Sequence, residues 1–142
     1  MTFTLLQFPS IITEFLGSSG WGAVLARVLL ALMFAESAID KLLHWDKYRV
    51  EIVTRGMPLA TLCLSAAALV ETAGTVSLLS GRAMEICILA LIAYVLGVNF
   101  IYFNFWRHVG DEASMLRKEF IKNLAVTGGL LACLMMPGAQ VT

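Results

Sequence analysis

Residues 83–106 read AMEICILALIAYVLGVNFIYFNFW and hold one charged residue, Glu85, in 24 positions. A helix crossing the hydrocarbon layer needs about 20 apolar residues, so this run is long enough to span. Strands of a membrane barrel would alternate over about ten residues, and no such alternation occurs here. Two runs of the same character precede it, 24–43 and 59–79, and a shorter one, 120–136, follows it. The separators are brief: HWDKYRVEIVTRGMP at 44–58, Ser80-Gly81-Arg82, and 107–119. The expected fold is all-α, a four-helix transmembrane bundle in up-down-up-down order over residues 21–142.

Composition agrees. The 142 residues are 59% hydrophobic and 14% charged, with mean hydropathy +0.83. Soluble domains carry about a quarter charged residues, and disordered chains combine low hydrophobicity with high net charge. Ten basic residues balance ten acidic ones, leaving no basic surplus to draw the chain onto nucleic acid. The lipid bilayer is the expected environment.

Eight of the basic residues (Lys41, Lys47, Arg49, Arg55, Arg107, Arg117, Lys118, Lys122) lie in or beside the first and third separators, against Arg82 alone in the second. The positive-inside rule then places those two loops in the cytoplasm and both termini outside. The first 20 residues hold no Lys or Arg, so they lack the charged start of a cleavable signal peptide. Leu5, Phe8, Ile12 and Phe15 recur there at helical spacing. Residues 1–20 therefore read as an amphipathic interfacial or docking segment, the alternative being a frayed hydrophobic leader.

Polar residues inside a span are costly unless paired or hydrated. Counting at about 1.5 Å per residue puts Arg27 roughly 24 Å above the cytoplasmic end of the first helix and Glu71 roughly 20 Å up the second. An Arg27–Glu71 ion pair is the expectation; the alternative is a snorkelling Arg27 beside a protonated Glu71. Nearer the cytoplasm, Glu36 and Asp40 share a helix face, with Lys41 beside them, and Asn99, Tyr102, Lys122 and Asn123 fall at similar depths. Two carboxylates on one face call for a cationic partner, for which Lys122 is the candidate. Such a group suits a proton-handling or quinone head-group pocket, since quinone carbonyls need donors near the interface. It equally suits a structural network tying the helices together.

Asn99, Phe103 and Trp106 fall on one face of a continuous helix, in a stretch that also holds Phe100, Tyr102 and Phe105. An interfacial aromatic belt and stacking on a quinone ring both fit. Gly128 and Gly129, with Ala125 and Ala132, form a small-residue surface for close helix contact, internal or between subunits. His44 and His108 lie in loops, which excludes bis-histidine haem in the bilayer and leaves no metal-ligand spacing. Neither a phosphate-binding glycine loop nor a G-x-S-x-G elbow occurs. Cys63, Cys87 and Cys133 form no C-x-x-C. Cys87 and Cys133 both fall toward the outer face, where a disulfide is conceivable.

In order and spacing these residues resemble the DoxX family. Arg27, Phe34 and Lys41 look like its opening pattern. Gly56-Met57-Pro58, Glu71-Thr72-Ala73-Gly74 and Gly81 look like the next block. Phe105-Trp106, then Lys122-Asn123 and Gly128-Gly129, are similar to its KN-x(4)-GG ending. The resemblance implies a small four-helix protein of a bacterial or archaeal cytoplasmic (inner) membrane. Some relatives are subunits of thiosulfate:quinone oxidoreductase, others accompany oxidoreductases or oxidative-stress systems, and most have no established activity. The expectation is a small membrane subunit of a respiratory or redox, quinone-linked complex. As an enzyme it would be at most a non-autonomous subunit of a quinone-dependent oxidoreductase, with no covalently bound cofactor and quinone as candidate ligand. The alternative is a noncatalytic anchor or assembly subunit. Expected partners are other membrane subunits or further copies of the chain. A reporter fused after Thr142 is expected to score external; a cytoplasmic score would mean that the fourth helix does not span.

Overall fold

The computed structural model describes residues 20–136, so the expected interfacial segment falls almost wholly outside the described residues. Five α-helices follow one another: α1 (Trp21–Leu43), α2 (Trp45–Thr54), α3 (Ala60–Ser80), α4 (Met84–Tyr102) and α5 (Gly110–Met135), with a 3-10 turn at Phe105–Arg107. No strand occurs among the described residues. The protein is a helical membrane bundle. Among the described residues three helices are long and apolar enough to cross a membrane: Trp21–Leu43, Ala60–Ser80 and Met84–Arg107. The fourth long helix, α5, differs in composition. Its first half, GDEASMLRKE, is polar and its second half is apolar from Phe120 onward.

The separator at 44–58 is more ordered than its sequence implies, because α2 occupies most of it. Ile52 of α2 is buried against Ala60 and Leu64, with Trp45, Tyr48 and Met57 around them. Gly56 closes the helix with φ +74, a left-handed conformation that costs glycine nothing. At the opposite end of the bundle Gly81 (φ 72) caps α3. Ser77 Oγ donates to the Arg82 carbonyl at 2.7 Å, fastening the tight α3–α4 turn.

The main core gathers Ala31 and Phe34 from α1, Leu78 from α3, Ile88, Leu91 and Val95 from α4, and Leu130 and Cys133 from α5. Leu29, Leu32, Leu62, Leu69, Ile86 and Leu89 point outward, as lipid-facing side chains should. Lipid is as apolar as leucine, so helix association depends on close contact and buried polar bonds rather than on hydrophobic burial. One glycine serves close contact. A Cβ on Gly74 would lie 2.4 Å from Leu91 Cδ1 and 2.6 Å from its Cγ, so α3 and α4 meet there because no side chain intervenes. A Cβ on Gly129 would make only ordinary contact, 3.5 Å from Leu30 of α1, and Gly128, Ala125 and Ala132 are exposed.

Cys63, Cys87 and Cys133 are all free thiols, so the conceivable Cys87–Cys133 disulfide is not formed. Cys133 is instead a buried core side chain. Gly74→Ala should overpack the α3–α4 contact and cost about 1–3 kcal/mol. Combining it with Leu91→Ala should recover part of that loss, because the new methyl enters the space vacated. Thermal unfolding of both single variants and the double variant in lipid nanodiscs checks this; strictly additive losses would contradict the contact.

Candidate functional site

A cavity of about 620 Å³ lies between α1, α3 and α4, flanked by α2 and reached by α5 at Leu116 and Asn123. Phe34, Leu64, Ala67, Val70, Val95 and Val98 give it apolar walls. Its polar content is concentrated in a few groups. Lys41 Nζ meets Glu71 Oε1 at 3.0 Å, with the lysine side chain 13% exposed and the glutamate 2%. Ser37 Oγ donates to Glu71 Oε1 at 2.9 Å, and Lys41 Nζ donates to Ser37 Oγ at 2.6 Å. Ser37 and Lys41 are one turn apart, so the triad joins a single face of α1 to the middle of α3.

Tyr94 brings its phenol from α4 to the same carboxylate, close enough for its hydroxyl to interact with it. Glu71 Oε2 is buried without a hydrogen-bond partner among the described residues. Toward α2 the cavity is bordered by Tyr48, Glu51, Arg55 and Tyr102. The Arg55 guanidinium lies 4.3 Å from the Tyr102 ring centroid, a cation–π contact, and pairs with Glu51 at 3.3 Å.

The expected Arg27–Glu71 pair does not form. Arg27 Nη1 approaches the Met84 sulfur at 3.6 Å and its Nε is buried without a partner, while Glu71 belongs to Lys41. The depth count fails because α2 carries the chain onward before α3 begins. The first turn of α3 packs against α2, beyond the end of α1. Glu71 is therefore lower than a count from Pro58 implies. The Lys41 side chain, leaning toward its helix N-terminus, reaches up to it.

The expected polar cluster comes apart. Asn99 and Asn123 do meet: Asn123 Nδ2 donates to Asn99 Oδ1 at 2.9 Å, and Asn99 Nδ2 to the Phe120 carbonyl at 3.1 Å. Asn99 is fully buried, so this pair fastens α4 to α5; Asn123 and Tyr102 also border the cavity. Asp40 lies one step outside it, accepting hydrogen bonds from Tyr48 Oη and His44 Nδ1. Lys122 is not the partner of Glu36 or Asp40: it is 65% exposed and pairs with Glu119 at 2.7 Å. Glu36 is exposed. The shared face of Asn99, Phe103 and Trp106 is also lost, because α4 ends at Tyr102 and the chain re-forms as a 3-10 turn. Trp106 instead joins a ring cluster with Phe100, Phe105 and Phe120, tilted against the first and edge-on to the other two.

Ser37, Tyr48 and Tyr94 are the cavity residues that sequence reasoning missed. Tyr94 and Ser37 carried a usable signal, as polar groups in mid-span. Among the described residues no group of three or more His, Cys, Asp or Glu could hold a metal ion.

Lys41→Met should leave the Glu71 charge buried and unpaired, costing about 3–5 kcal/mol. Lys41→Met with Glu71→Gln should regain much of it. Chemical unfolding in mixed micelles measures both, and a double variant weaker than Lys41→Met would contradict the pairing. Outside the membrane, donation to Asp40 holds the Tyr48 proton and pushes its pKa from 10.0 to about 12. The contribution of that bond to stability is complete below the ordinary tyrosine pKa and lost as pH rises through about 12. The phenolate absorbance removed by Tyr48→Phe should therefore appear near pH 12, and at lower pH in Asp40→Asn. Ionisation of Tyr48 near 10 in the unsubstituted protein would refute the assignment.

The DoxX family profile matches residues 22–104, a stretch running from the start of α1 to just past α4. The chain is also 25% identical over 117 residues to the inner membrane protein YphA of Escherichia coli (strain K12), covering 82% of this chain and 84% of that protein. No solved structure matches. Arg27, Phe34, Lys41, Gly56-Met57-Pro58 and Glu71-Thr72-Ala73-Gly74 all fall within the matched stretch. The chain belongs to the DoxX family.

Proposed function

We propose that this protein is a membrane subunit of a quinone-linked redox complex, contributing the site at which the quinone sits. The observation that carries this reading is the cavity itself. Small-molecule pockets are mostly apolar hollows of about 300–1,000 Å³ with a few placed polar groups, and the cavity of about 620 Å³ combines apolar walls with Lys41, Glu71, Ser37 and three tyrosines. A quinone has matching parts: a flat ring with polar oxygens and an isoprenoid tail that suits lipid.

Electron transfer itself is assigned to a partner, so the chain is not an autonomous enzyme on this reading. The sequence match to an inner membrane protein supports placement in the cytoplasmic membrane. The distribution of Lys and Arg supports α2 and the α4–α5 connection on the cytoplasmic side, with both termini outside. The closed Asn99–Asn123 pair favours a second reading for part of the molecule, a noncatalytic anchor whose polar groups only hold helices together.

Native membranes solubilised gently and analysed by mass spectrometry should yield the chain with quinone near one equivalent. Gly97 borders the cavity and has open space around its Cβ position, so Gly97→Phe should crowd the cavity and expel the ligand. Glu36→Gln and Lys122→Met should retain it. A stable larger complex without quinone on this chain would establish the anchor reading instead.

A further inference from the structure

The walls of the cavity differ in how they are closed. Between α1 and α3 stand Lys41, Ser37 and Glu71, bonded to one another. Asn99 and Asn123 fasten the α4–α5 side. Toward α2, Arg55 lies on the Tyr102 ring and Tyr48 is held by Asp40. On the side between α1 and α5, Met33 contributes a long side chain. Helices α3 and α4 are joined where Gly74 meets Leu91 and Tyr94 reaches Glu71. Alongside that junction and on toward α2, small residues border the cavity: Ala66 on α3, and Ala93 and Gly97 on α4, followed by Ile101.

Ala93, Gly97 and Ile101 are spaced i, i+4, i+8 and form one stripe on α4, about 12 Å long at 1.5 Å per residue. Ala66, Ala93 and Ile101 are exposed as well as bordering the cavity. A Cβ added to Gly97 would meet nothing within 4 Å. Both helices are of membrane-spanning length, with Ala93 midway along α4 and Ala66 more than a turn inside α3. An opening at this height meets hydrocarbon, not water.

A lipid tail that moves into such a seam exchanges one apolar medium for another, so burial gives it little. What the wall must supply is room, and alanine and glycine supply it. We propose that the cavity opens sideways into the bilayer through the seam between α3 and α4, and that its ligand is a membrane-borne amphiphile. The ring lies inside, and the tail leaves through the gap framed by Ala66, Ala93, Gly97 and Ile101. This deepens the reading of the cavity as a quinone site and rests on it. The ligand arrives from the membrane, and α2 need not move to admit it.

The test uses the full chain in lipid nanodiscs and a decyl-substituted benzoquinone carrying a diazirine at the middle of its tail. After irradiation, labelled positions are mapped by mass spectrometry with and without excess unmodified decyl-benzoquinone. Lipid-facing positions such as Leu69 and Leu89 should be labelled equally in both samples. Labelling at Ala66, Ala93, Gly97 or Ile101 should be lost when the competitor fills the site. Competed labelling at Met33 and Leu116 instead would put the tail between α1 and α5, and at Tyr48, Arg55 or Met57 it would put the tail toward α2. Either result would overturn the seam while leaving the quinone reading intact. Labelling that the competitor leaves unchanged at every position would overturn both.

Discussion

A buried ammonium and a buried carboxylate, Lys41 on α1 and Glu71 on α3, meet at 3.0 Å inside a bundle whose exterior faces lipid. Each alone would carry an unmatched charge in a medium that solvates charge poorly. Their meeting fixes the register of α1 against α3, and Ser37 locks it by bonding to both. Three residues further along α3 is Gly74, where the absence of a side chain lets Leu91 of α4 come close. The middle of α3 therefore offers a charge to α1 and an empty position to α4. The cavity lies between these three helices at the end where α2 borders it.

Much of this architecture is legible in the sequence. The runs at 24–43, 59–79 and 83–106 announce themselves because lipid-facing and core-facing positions are both apolar, so no periodicity is needed to recognise them. Helix α2 is harder to see. Its sequence WDKYRVEIVT is polar on average, and Ile52, buried against α3, is its one buried residue. That hidden helix is also why Arg27 looked level with Glu71. A residue count measures height along one helix, and it transfers to the next only if the connection turns back at once.

The site was half legible for a related reason. Asn99 and Asn123 were expected to meet because their depths match, and their neutral amides need each other wherever they are buried. Glu36, Asp40 and Lys122 were grouped with them by depth alone, yet depth does not say which way a side chain points around its helix. Lys122 faces outward to Glu119, while Asp40 turns to Tyr48 and His44 on α2 and its N-cap. Tyr94 went unremarked because a tyrosine in an apolar run resembles any other large side chain until its hydroxyl is placed.

The bundle thus holds two polar centres of opposite character. The asparagine pair is closed, bonded within itself and to the Phe120 carbonyl, and its role is to join α4 to α5. The Lys41–Glu71 pair, bonded to Ser37 and approached by the Tyr94 hydroxyl, stands in the wall of the cavity. The most direct examination of this account is a solid-state NMR dipolar-recoupling measurement in lipid bilayers, between Lys41 labelled at Nζ and Glu71 labelled at Cδ. Strong dephasing, as a 3.0 Å Nζ–Oε1 contact requires, is the result the account predicts. Absence of that coupling, with dephasing of Glu71 by the Arg27 guanidinium in its place, would contradict it.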